Sequence, residues 1–145
     1  MKYLLDTDHL SILQQRSGRE YLALTTRLAQ HPPTDLALSV VSFHEQVLGC
    51  HTYISRARHE QDVVRGYGML GRLLSDYAMA PVVPFDAAAA STFVGLLSLR
   101  VRVATMDLRI ASIALSRGLT LLTRNARDFG HVPGLLTENW TVAPP

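Results

Sequence analysis

Short apolar runs alternate with stretches of helical spacing along the chain, and this alternation constrains its fold more than any other feature. Residues 2–5 form an apolar run that ends in Asp6-Thr7-Asp8 and reads as a buried strand. Residues 9–15 have helical spacing. Ser17-Gly18-Arg19-Glu20 has the spacing of a capping box, and Leu24 and Leu28 follow it, so a second helix is predicted to start there. His31-Pro32-Pro33 stops that helix. Residues 36–38 are the next strand, and Ser39 is placed to cap a helix carrying Phe43, Val47 and Leu48. Helical spacing returns over residues 60–77, then Pro81-Val82-Val83-Pro84 reads as a third strand. Asp86 caps an alanine-rich helix. Asp107 opens an apolar helix over residues 108–116, which Gly118 closes. Thr120-Leu121-Leu122 is a fourth strand, and a last one is expected within residues 135–140. Strands alternating with helices predict an α/β fold with a mainly parallel central sheet flanked by helices on both faces.

The length of 145 residues suits one domain, residues 1–145, and 48% hydrophobic content with 18% charged residues is enough to bury a core. The frayed part is expected to be the tail, residues 142–145. A net charge of +2 provides no polybasic tail. Lys2 is the only lysine, and every other cation of that class is arginine. Arginine grips phosphate bidentately, although a GC-rich genome also favours it. Cys50 is alone, so no intramolecular disulfide is available. No leader is visible before Asp6, and no apolar run is long enough to span a bilayer. A cytoplasmic protein without a membrane role is expected.

The acids carry the chemistry. In open α/β sheets, sites form beyond the carboxyl ends of strands. Asp6 stands just past the first strand, Glu45 on the helix after the second, Asp107 at a helix start, and Asp128 shortly after the fourth strand. Each alone has an ordinary explanation as a cap, a solvated helix residue or a surface turn. Together they form an oxygen-rich set suited to Mg²⁺, with Mn²⁺ as a substitute. Like charges crowded together raise one another's pKa, and a divalent cation relieves that cost.

The same residues carry a family resemblance. Leu4-Leu5-Asp6-Thr7-Asp8 resembles the opening strand of PIN domains, whose first Asp is a metal ligand. The segment from Ser39 through Phe43-His44-Glu45 to Gly49 resembles the second block, with Glu45 as its acid. Met106-Asp107-Leu108-Arg109-Ile110-Ala111 resembles the third, which makes Asp107 the matching ligand. Leu121-Leu122-Thr123-Arg124-Asn125-Ala126-Arg127-Asp128 resembles the fourth. Val132-Pro133-Gly134-Leu135 and Glu138-Asn139-Trp140 resemble the ending of VapC-type toxins. The resemblance implies a Rossmann-like, three-layer PIN fold and Mg²⁺-dependent hydrolysis of RNA phosphodiester bonds, with a small cognate antitoxin as partner. Two positions depart from the pattern. Asp8 stands where the family often has Asn, and Asn125 stands where some members have their fourth Asp. Either Asn125 or Asp128 is then the fourth site residue.

Other signals are weaker. Gly66-Tyr67-Gly68-Met69-Leu70-Gly71 spells GxGxxG, but it follows charged residues and lies within helical spacing, so close helix packing is the expected role. Asp6-Thr7-Asp8 also resembles haloacid-dehalogenase phosphatases, which need a later lysine that this chain lacks. That phosphatase reading and a catalytically idle PIN binding module are the alternatives. His44-Glu45 lacks the second histidine of a zinc motif, because Leu48 occupies its place. His9, His31, His59 and His131 are expected at the surface.

The resulting expectation is in-line hydrolysis. Asp6 and Asp107 hold Mg²⁺, Glu45 orients the attacking water or takes its proton, and Asp128 helps place metal or water. Arg16, Arg19, Arg100, Arg102, Arg124 and Arg127 are candidates for holding RNA phosphates. Tyr53, Tyr67, Met69, Leu70 and Tyr77 form more apolar surface than one small core readily buries, which points to a homodimer.

Overall fold

The computed structural model describes residues 1–144, and Pro145, with its part of the tail expectation, lies outside them. The elements follow in order: β1 (Tyr3–Leu5), α1 (Thr7–Gln15), α2 (Arg19–Leu28), a 3₁₀ turn (Pro33–Asp35), β2 (Leu36–Ser39), α3 (Val40–Ser55), α4 (Glu60–Ala78) and β3 (Val82–Val83). Then come α5 (Ala87–Ser98), α6 (Thr105–Arg117), β4 (Thr120–Leu122), α7 (Ala126–Phe129) and β5 (Thr137–Glu138). The strands form one five-stranded sheet, ordered β3-β2-β1-β4-β5, and every pairing is parallel.

That order makes the fold doubly wound. The chain steps outward from β1 to β2 to β3, then crosses back to place β4 on the other side of β1. Right-handed crossovers running in opposite directions put their helices on opposite faces. The strand residues alternate accordingly. Leu4, Ala37 and Leu121 pack with α5 and α6, while Leu5, Leu38 and Leu122 pack with α1, α2 and α4. With both faces covered, the strands lack an alternating polar face. The direction reverses between β1 and β4, and the carboxyl ends of those two strands flank the crevice where such folds place a site.

Several local expectations hold. Ser39 Oγ accepts from Ser42 N at 2.9 Å, Asp86 Oδ1 accepts from Ala89 N at 3.0 Å, and Gly118 ends α6 in the left-handed conformation (φ 65). Gly66 lies where α4 crosses α3, and a Cβ there would run into Ile54 and Tyr53. Gly68 and Gly71 meet nothing nearby, so close packing explains only the first glycine of the GxGxxG string.

Other expectations need correction. The capping box does not form. Arg16 turns left-handed (φ 56) to end α1, so the cap of α2 falls on Gly18 (φ 98), which has no side chain to offer. Glu20 instead faces Arg124 at 3.4 Å. The helix carrying Asp107 begins at Thr105, which puts the acid in its first turn rather than at its start. The apolar stripe splits. Tyr77 is buried and Met69 and Leu70 pack against the core, whereas Tyr67 is exposed. His9 is fully buried, because residues that follow β5 cover it.

Candidate active site

Asp6 stands at the switch point. Its backbone N–H donates to the Leu122 carbonyl at 2.9 Å, which sets the end of β1 beside the end of β4. Its side chain caps α1, with Oδ1 accepting from Thr7 N at 2.8 Å and Oδ2 from the Thr123 hydroxyl at 2.7 Å. The residue is only 5% exposed. Burial, followed by the charge of Asp8, pushes its pKa up to about 7. The bonds from Thr123 and Thr7 offset part of that rise, and the Asp107 charge adds to it.

Glu45 reaches the same region from α3. Thr7 Oγ1 lies 2.9 Å from both Glu45 Oε1 and the Ser42 hydroxyl. Thr7 has one proton, and the carboxylate is its stronger acceptor. This contact ties the second turn of α3 to the first residue of α1. Asp107 comes from the first turn of α6, and its pKa is raised by burial and then by the charges of Glu45, Asp128 and Asp8. Asp128 is exposed at the rim on α7. Asn125 caps that helix, accepting from Asp128 N at 3.4 Å, and its amide donates to Asp128 Oδ2 at 3.1 Å.

The structure therefore brings Asp6, Glu45, Asp107 and Asp128 into one electrostatic neighbourhood. Both polar atoms of the Asn125 side chain are engaged with Asp128. Sequence reasoning missed Thr7, Ser42 and Thr123, whose hydroxyls hold the acids in place. Asp8, which departs from the family pattern, is also engaged. Its Oδ2 accepts from Arg124 N at 2.9 Å, and its Oδ1 lies 2.8 Å from His9 Nδ1. Burial pushes the Asp8 carboxyl up, but the bonds from His9 and Arg124 outweigh it and hold the group below its ordinary value.

Among the described residues, no three His, Cys, Asp or Glu side chains stand close enough to hold an ion by themselves. Mg²⁺ does not require that many, since it keeps several waters and commonly takes only one or two carboxylates. Two carboxylates pushed up by burial and then by neighbouring negative charge are an environment such a cation relieves, so Asp6 and Asp107 fit the group.

Among the described residues, no ion pair engages Arg16, Arg19, Arg100, Arg102 or Arg127. Arg100 and Arg102 line an open depression with His131 and Pro133, just before the helix that carries Asp107. No helix among the described residues is long and apolar enough to cross a membrane.

Comparison with solved structures gives the family of folds. Over 97% of its length the chain matches 98% of a chain in DNA-bound VapBC from Salmonella typhimurium, with a TM-score of 0.73 and 21% identity. It has the VapC-type PIN fold. A chain of VapBC-1 from nontypeable Haemophilus influenzae matches with a TM-score of 0.70 and 24% identity, covering 98% of this chain and all of that one. One from DNA-bound VapBC2 of Rickettsia felis matches with a TM-score of 0.69 and 24% identity, over 97% of this chain and 99% of that one. In sequence, 65 residues are 42% identical to the tRNA(fMet)-specific endonuclease VapC of Shigella flexneri, covering 41% of this chain. The match spans about half of that relative's length (48%). No protein-family model matches the sequence. The resemblance to VapC proteins read from the motif blocks is borne out, and so is the PIN fold with its parallel sheet.

Proposed function

We propose that this VapC-type PIN domain is a Mg²⁺-dependent endoribonuclease and the toxin of a VapBC-type toxin–antitoxin pair. The observation that carries the reading is the buried Asp6 carboxyl at the β1–β4 switch point, pushed to about 7 beside Asp8 and Asp107. The likeness to the Shigella flexneri tRNA(fMet)-specific endonuclease supports RNA as substrate, and the VapBC complexes support an antitoxin partner.

In this reading Asp6 and Asp107 hold the cation, which when bound neutralises phosphate charge and acidifies water. Glu45, fixed by Thr7, orients the attacking water or takes its proton. Asp128 helps place water or metal from the rim. Water adds to phosphorus as the bond to the 3′ oxygen breaks, leaving a 5′-phosphate and a 3′-hydroxyl. Arg100 and Arg102 hold the RNA backbone, which positions the strand without reading its sequence. The phosphatase alternative loses its general acid, because Asp8 is held by His9 and Arg124, and Lys2 lies against Asp35 at 3.8 Å. The test is incubation of the purified chain with a tRNA mixture, with Mg²⁺, with Mn²⁺ or with a chelator. Cleavage confined to the metal-containing samples is expected. A chain that is folded and inert in all of them has the idle-module role instead.

Asp128→Asn is expected to weaken cleavage by about tenfold, and more than Asn125→Ala, because an anionic oxygen binds or orients better than a neutral amide. Asn125→Ala also removes a helix cap worth about 1 kcal/mol, so melting temperature is measured alongside cleavage. A larger loss of cleavage in Asn125→Ala at equal stability makes Asn125 the fourth site residue.

The homodimer reading now rests on a narrower surface. Along α4, Val64 is 71% exposed, Tyr67 58% and Leu74 64%, with exposed Gly71 and Ala78 on the same stripe. This three-and-four spacing is the seam pattern of paired helices. A second copy covers it in our reading, since two-fold dimers are the commonest assembly. Light scattering is expected to give a dimer mass, and Leu74→Glu a monomer mass. A monomeric native chain overturns this reading.

A further inference from the structure

His9 is a titratable residue outside the acid set whose side chain is entirely buried. Both ring nitrogens are engaged. Trp140 N–H donates to Nε2 at 3.2 Å, and Nδ1 lies 2.8 Å from Asp8 Oδ1. A backbone N–H has only its proton to give, so Nε2 accepts. The ring proton therefore sits on Nδ1 and is donated to Asp8.

Each end of this relay is fixed. Trp140 is fully buried, stacked on His31 with centroids 4.7 Å apart and tilted against Tyr3 at 4.7 Å, with the Arg27 guanidinium 5.0 Å over its ring. At the other end, Asp8 Oδ2 accepts from Arg124 N at 2.9 Å and lies 3.3 Å from Thr123 Oγ1. Thr123 in turn donates to Asp6 Oδ2 at 2.7 Å and accepts from Asn125 N at 3.0 Å. The loop after β4 is thus held from below by Asp8, and that loop orients Asp6 through Thr123 and Asp128 through Asn125.

We infer that His9 is a positioning residue. It holds Asp8 in the orientation that fixes the Thr123–Asn125 loop against Asp6, and it ties the segment after β5 to the active site. Asp8 then acts as a strut, with His9 on one of its oxygens and Arg124 N–H on the other. The kinetic part of this inference rests on the nuclease reading, whereas the hydrogen-bond relay does not.

Two substitutions separate the two ends of the ring. In His9→Asn the amide nitrogen takes the place of Nδ1 and keeps the bond to Asp8, while the bond to Trp140 is lost. In His9→Gln the amide oxygen reaches the place of Nε2 and keeps the bond to Trp140, while the bond to Asp8 is lost. His9→Asn is expected to stay within about threefold of native kcat, and His9→Gln to lose roughly 10- to 100-fold in kcat with KM unchanged, as for lost supporting partners of a metal site. Amide hydrogen exchange gives a reading independent of activity. The Arg124 amide is expected to lose protection in His9→Gln and keep it in His9→Asn, with the opposite pattern at the Trp140 amide. Equal kcat losses in the two variants, or losses that simply follow melting temperature, overturn the inference. So does an Arg124 amide unaffected by His9→Gln. If the native chain cleaves no RNA, the nuclease reading fails, and the Arg124 amide alone decides the relay. If His9→Gln does not fold, Asp8→Asn takes its place. Its single amide oxygen serves only one of the two donors, so the same fall in kcat at unchanged KM is expected, and native kcat overturns the inference.

Discussion

Asp6→Asn and Asp107→Asn are each expected to lower RNA cleavage by roughly 100- to 1,000-fold, the range for removing one charge-stabilising group from a reaction centre. Both changes are nearly isosteric. At position 6 the asparagine oxygen still caps α1 by accepting from Thr7 N, whose present bond to Oδ1 is 2.8 Å. The amide nitrogen then faces Thr123, whose hydroxyl must accept instead of donate. Its proton has another acceptor nearby, since Asp8 Oδ2 is 3.3 Å away. The cap on α1 and a partner for the amide nitrogen are both kept, so the fold survives while the anionic oxygen is lost. Among the described residues no hydrogen bond reaches the Asp107 side chain, and its carboxyl is pushed up by burial and then by the charges of Glu45, Asp128 and Asp8. Neutralising it relieves strain in the metal-free protein. The measurement is cleavage under saturating Mg²⁺, with circular dichroism to confirm folding. Full activity in either folded variant removes Asp6 and Asp107 as the centre of the site.

The acids were legible because strand ends are. Asp6, Glu45 and Asp107 each follow a short apolar run or open a strongly periodic helix, and a parallel sheet gathers such ends at one edge. The hydroxyls that hold the acids were not legible. Thr7 and Ser42 meet across 35 positions, and Thr123 meets Asp6 across 117. A threonine after a strand looks like any other until the strand order is known. His9 was misplaced for the same reason. Its burial depends on Trp140, which lies 131 positions away, and nothing in the local pattern of α1 requires it. The failed capping box is a different case. The motif was present, but left-handed Arg16 moved the helix start one residue, and a cap acts only at its own position. The aromatic stripe of α4 was read as one surface. The helix turns Tyr77 inward to donate to Gln46 Oε1 at 2.8 Å, while Tyr67 faces out.

The stability of the metal-free protein is expected to fall as pH rises from about 4 to about 7, and Mg²⁺ is expected to restore it mainly at the upper end. The folded Asp6 carboxyl titrates near 7, against an ordinary value of 3.8. Between those values the unfolded chain has shed its proton while the folded chain still holds it. Folding then takes up a proton, and each rise in pH penalises the folded state. The penalty is complete above about 7 and absent below about 4. Each pKa unit is worth about 1.4 kcal/mol, so the gap amounts to about 4 kcal/mol at most. Asp107 is shifted in the same direction and adds to the trend, whereas Asp8 is shifted the other way and acts only at lower pH. Other acids also titrate, so the native chain is compared with Asp6→Asn rather than read alone. Thermal melting in chelator from pH 4.5 to 8 is expected to show Asp6→Asn gaining on the native chain as pH rises. A divalent cation competes with the proton for the same carboxylate. Added Mg²⁺ is therefore expected to raise the native melting temperature more at pH 8 than at pH 5.5, and to do little for Asp6→Asn at either pH. Parallel melting curves for the two chains across this range contradict the buried, proton-holding Asp6. A native chain that melts at the same temperature with and without Mg²⁺ at pH 8 removes the cation from the site.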